Sequence, residues 1–103
     1  MTLAEIKNAL AEVGVDVFYD HTPEDVSMPY ICFKEVSART ISRDSEVANV
    51  ISTIQVELYT TTKDETLEGV LQNALKQFIW KKELDFDGDD EYFASFYTFE
   101  IIR

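Results

Sequence analysis

At 103 residues the chain is long enough to bury one hydrophobic core and too short for two. With 46% apolar and 13% aromatic residues it has the material for a packed core, which argues against disorder along its whole length. Its 20 acidic residues against 9 basic ones give a net charge of −11, which opposes binding to a nucleic-acid backbone or to an anionic membrane surface.

Thr2, three residues before Glu5, sets up a capping box, and Leu3, Ile6, Ala9, Leu10 and Val13 then trace one helical face that Gly14 is expected to close. Val15, Val17 and Tyr19 alternate with Asp16 and Phe18 in a short strand, and Asp20-His21-Thr22-Pro23 turns out of it. Pro29 opens a second strand from Tyr30 to about Val36, at a position where a missing N–H is tolerated. Residues 37–49 are polar, with Arg39, Thr40, Ser42, Arg43 and Asp44 among them. They form the exposed arm of a hairpin, either a ribbon beyond the core or a loop ordered by a partner.

Ile54, Val56 and Leu58 alternate with Gln55, Glu57 and Tyr59, so this stretch reads as a half-buried strand with one aliphatic face. Thr62 and Glu65 suggest a second capping box. The helix that follows carries Leu67, Val70, Leu71, Ala74, Leu75 and Phe78 as an apolar stripe suited to that face. Residues 84–91 read as an acidic tight turn around Gly88. The last segment, residues 92–102, is apolar on both faces and is expected as a long central strand. Together these elements predict a single α+β domain over residues 1–103, a mostly antiparallel sheet with two amphipathic helices packed on one side.

Residues that could carry chemistry are few. Cys32 cannot form an internal disulfide and falls in an apolar run, where a buried, inert thiol is expected. His21 lacks a second His or Cys to share a metal, and Asp20, Glu24 and Asp25 beside it come with no nucleophile at a fixed spacing. The Asp85-Phe86-Asp87-Gly88-Asp89 run fails as a calcium loop, because its glycine stands fourth and not sixth and its twelfth residue is Phe96. Glycines at Gly14, Gly69 and Gly88 give no phosphate-cradling loop. No catalytic residue, metal or cofactor is expected. Gly69, inside the second helix, either lets another backbone approach or is a tolerated surface glycine.

Arg39 and Arg43 are two of three arginines, and their even spacing on a strand puts both on one face. There they either grip carboxylates of a second copy or guard an exposed edge. The chain shows neither a charged-then-apolar leader nor an apolar run near ~18 residues, so a protein kept in the cytoplasm, or in something assembled there, is expected.

The N-terminal amphipathic helix, the Met28-Pro29-Tyr30-Ile31-Cys32-Phe33 strand opening, the Ser/Thr/Arg arm, the Ile54-Gln55-Val56-Glu57-Leu58-Tyr59-Thr60 strand, the Lys63-Asp64 helix start and the aromatic last strand resemble, over nearly the whole chain, the small neck proteins of long-tailed bacteriophages, the tail completion or tail terminator family. The resemblance implies a non-enzymatic α+β subunit of the virion neck. Such a subunit forms a hexameric ring that caps the tail tube and meets both the tail-tube protein and the head-completion connector. It also implies that residues 39–47 face a neighbouring subunit or the tube, and that the 85–91 turn lies at a ring surface. An acidic lining suits a channel through which DNA slides without sticking. A different class of function remains open, a small acidic phage protein that inhibits a DNA-binding host enzyme by mimicking the phosphate backbone. A third, an enzyme working through His21, requires that His21→Ala abolish an activity.

Overall fold

A computed structural model describes residues 1–89 and 91–103; Asp90, part of the expected acidic turn, lies outside the described residues. The chain runs α1 (Leu3–Ala11), β1 (Asp16–Tyr19), β2 (Tyr30–Arg43), β3 (Glu46–Thr60), α2 (Glu65–Ala74), β4 (Lys81–Asp87) and β5 (Tyr92–Ile102). The five strands form one sheet in the order β1-β2-β3-β5-β4. Among the described residues β1 pairs with β2 in parallel and the other three pairings are antiparallel, so the fold is α+β with a mixed, mostly antiparallel sheet.

β3 is the middle strand, and the aromatic β5 lies between it and β4, as its two apolar faces led us to expect. The register places Phe33 opposite Val56 and Val56 opposite Tyr97, while Ile54 pairs with Phe99. These side chains share one face of the sheet. They form a buried cluster with Ile6 and Leu10 of α1 and Leu71 and Leu75 of α2, which gives each helix its reason to dock.

Thr2 does cap α1, its hydroxyl accepting from Glu5 N–H at 3.2 Å. The helix ends earlier than expected, with Glu12 at its C-cap, and Gly14 follows in a turn at φ +91°. At α2 the expected Thr62 cap is wrong. Asp64 takes that place and its carboxylate accepts from Leu67 N–H at 2.9 Å, while the Thr62 carbonyl is occupied by the Thr60 hydroxyl. An aspartate two residues nearer the apolar stripe competes successfully because its charge also favours the helix N-terminus. Val70, expected in the apolar stripe, is 43% exposed.

Two further boundaries differ from expectation. β2 does not stop near Val36 but continues to Arg43, and β4 takes in Lys81–Asp87, so much of the acidic run is strand and not turn. Pairing with β5 overrides the turn propensity of Asp85 and Asp87, Asp85 lying opposite Ala94 and Asp87 opposite Tyr92.

Candidate functional site

The polar arm is an ordered two-stranded ribbon. Residues 37–43 of β2 pair with residues 46–53 of β3, and past Ile51, where β5 ends beside β3, residues 40–43 and 46–50 project as two strands, in a molecule 52 Å along its longest axis. Asp44 and Ser45 close it with φ of 52° and 67°, the two positive values of a turn whose twist matches that of its strands. Two irregularities shape it: Val36 is an extra residue on β2 and Ala48 an extra residue on β3. All residues from Val36 to Val50 are exposed, including the apolar Val36, Ile41, Val47 and Val50.

The structure therefore brings Arg39, Thr40, Ser42, Arg43 and Asp44 together on one exposed projection. Thr40 stands opposite Val50 and Ser42 opposite Val47. Arg39 does not reach outward alone: its Nε and Nη2 both lie 3.3 Å from the Glu100 carboxylate of β5, an exposed pair worth little to stability. Arg43 is opposite Glu46 beside the turn. His21 is exposed in the loop after β1, with its Nδ1 3.8 Å from Asp20.

A second constellation lies on the face of β3 that carries Gln55, Glu57 and Tyr59. Glu57 is buried there and fully engaged: Tyr59 donates its hydroxyl at 2.5 Å, Gln55 its amide at 3.0 Å, and the Lys34 ammonium stands 3.1 Å away. Around it the rings of Phe18, Tyr30, Tyr59, Tyr92 and Phe96 pack in sequence, Tyr30 stacked on Tyr59 at 5.0 Å. Burial, followed by the hydrogen bond and charge of Glu57, pushes the Tyr59 phenol far above its ordinary range. The hydrogen bond from Lys34 to Glu57, with the attraction between them, raises the Lys34 ammonium. Cys32 lies on this face and is buried; burial, and then the Glu57 charge, pushes its thiol upward, away from the reactive thiolate.

The third is Glu68 of α2, buried yet bound by two ammonium groups. Lys63, just before the helix, and Lys82, on β4, stand 2.7 and 2.5 Å from its carboxylate. Next to this triad Lys63, Leu84, Phe86, Phe93 and Ser95 line a groove in which Leu84 and Phe86 are more than half exposed.

Sequence reasoning found an exposed polar arm, with ribbon or loop left open, but neither buried carboxylate. Glu57 was legible as a polar residue between aliphatic ones, and an aromatic at the next same-face position was the available sign of its shielding. Nothing local marks Glu68, because Lys82 is fourteen residues away and only β4 pairing brings it near. No family model and no curated protein matches the chain.

Proposed function

We propose that this chain is a structural subunit of a bacteriophage neck, forming a ring of six copies that caps the tail tube and helps join the tail to the head. The observation that carries this reading is the ribbon: a projection on which the apolar Val36, Ile41, Val47 and Val50 are all exposed. Exposing four aliphatic side chains on a projecting arm makes physical sense where another surface covers them. In this reading both helices cover the Ile54 face of the sheet and the assembly contacts are left to the ribbon and the strand edges. The resemblance of the strand and helix motifs to small neck proteins points the same way, and the charge of −11 suits a ring around a passage for DNA.

Electron microscopy of particles from the encoding phage or prophage, with the gene deleted, tests the reading. Overlong tails, or filled heads beside unattached tails, are expected. Normal infectious particles would overturn it and bring the acidic inhibitor of a DNA-binding enzyme forward.

A further inference from the structure

We infer that the ribbon half of β2 pairs antiparallel with β4 of a second copy, so that the two strand edges, not the helices, join neighbours; this rests on the ring reading above. β1 covers β2 from Tyr30 to Phe33, and among the described residues no strand continues along that edge beside residues 34–43. At the other end of the sheet β4, seven residues long, is the last strand. Two edges of comparable length therefore sit at opposite sides of one sheet, and an exposed edge is a template for another strand.

Charge decides which edges can meet. Arg39 lies opposite Ile51 and next to Glu100, on the same face as Glu57, and strand alternation puts Arg43 there too, with Lys34 below. On β4 the residues of that face are Lys81, Glu83, Asp85 and Asp87, opposite Thr98, Phe96, Ala94 and Tyr92. One edge thus carries three cations on this face, and the other carries three carboxylates and one lysine. Pairing β2 with β2 or β4 with β4 sets like charges across the junction, whereas β2 with β4 sets Arg against Asp and Glu. Arg39 keeps donors for this: its side chain is 61% exposed and Glu100 engages only Nε and Nη2 of a group with five N–H bonds.

The strand directions agree. Within the sheet β4 runs opposite to β5, β5 opposite to β3 and β3 opposite to β2, so β4 and β2 point in opposite directions and a rotated neighbour meets β2 in antiparallel fashion. The contact uses two different surfaces of the same chain. It is heterologous, and such contacts generate rings when the rotation closes.

Charge-reversal variants of the full chain, followed by native mass spectrometry and light scattering over a range of concentrations, test the inference. Wild type is expected to form multimers, R39E/R43E and E83K/D85K each to shift to monomer by at least tenfold in midpoint concentration, and the four changes together to recover assembly. Thermal unfolding by circular dichroism checks that each variant folds; a variant that does not is replaced by R43E or D85K alone. Multimers unaffected by either reversal would overturn edge pairing and leave the ring reading standing. Failure of the combined variant to recover, or a wild type monomeric throughout, would also overturn it. The gene-deletion micrographs judge the neck role separately.

Discussion

Glu68 of α2 holds the ammonium of Lys82 from β4 at 2.5 Å, and this one contact ties the second helix to the far edge strand of the sheet. Burial alone pushes the Glu68 carboxyl upward, but hydrogen bonds from Lys63 and Lys82 and their charges outweigh it, so the group sits below its usual range. Burial lowers Lys82, and its hydrogen bond with Glu68 and the neighbouring Tyr97 more than offset that. Removing the carboxylate strands Lys82, whose side chain is 22% exposed, without its partner. Glu68→Ala is expected to cost about 2–4 kcal/mol in urea unfolding. A loss below ~0.5 kcal/mol would show that water already solvates the pair.

The same triad sets a pH dependence. A depressed Glu68 contributes stability that is complete above the unfolded carboxyl range, near pH ~4.3, and is lost as pH falls through its lower folded value. A raised Lys82 contributes stability that is present below its unfolded value of about 10.4 and is lost as pH rises through its folded one. Urea midpoints measured from pH 3 to pH 7 are expected to rise with pH in wild type and to rise less steeply in Glu68→Gln. Parallel curves would assign the acid sensitivity to other carboxylates.

The N-terminus of α2 separates two candidate caps. Asp64→Ala removes the acceptor of Leu67 N–H and a negative charge at the helix start, and is expected to destabilise by about 1 kcal/mol. Thr62→Ala leaves that acceptor in place and is expected to change stability by less than ~0.5 kcal/mol. The reverse ranking in thermal melts would restore the threonine cap.

Periodicity made most of the fold legible. The alternation of Ile54, Val56 and Leu58 and the helical stripe through Leu71 and Leu75 are local patterns that burial then satisfied. The unread strand boundaries have a common physical source: they depend on a partner distant in sequence. Asp85 and Asp87 look like turn residues until β5 supplies Ala94 and Tyr92 opposite them, and the choice between ribbon and loop for residues 37–43 stays open until residues 46–53 pair with them. The arm residues were placed correctly as exposed, yet the tie between Arg39 and Glu100 spans sixty-one positions and has no local signature.

Gly69 and Gly14 are expected to respond oppositely to alanine. Gly69 lies within α2 with nothing within 4 Å of an added Cβ, so Gly69→Ala gains helix propensity and stabilises by about 0.5–1 kcal/mol. Gly14 has equal space but a φ of +91°, which an L side chain resists, so Gly14→Ala costs about 1 kcal/mol. Thermal unfolding of the two variants measures both. A destabilised Gly69→Ala in the assembled protein, with a stabilised one in the monomer, would mark this helix surface as a subunit contact.

Tyr59 tests whether the aromatic face shields Glu57 as the geometry indicates. The phenol donates to a buried carboxylate that keeps only Gln55 and Lys34 when the hydroxyl is removed, so Tyr59→Phe is expected to cost about 1–2 kcal/mol. Burial and then Glu57 raise this phenol, so the unfolded chain ionises it first and stability falls as pH rises above about 10. Absorbance titration at 295 nm reads the shift directly. While circular dichroism shows the chain folded, Tyr59→Phe and wild type are expected to give the same phenolate signal, because Tyr59 is not among the groups that ionise. A deficit of one phenolate in the variant would mean that water reaches this hydroxyl and that the ring cluster leaves Glu57 open.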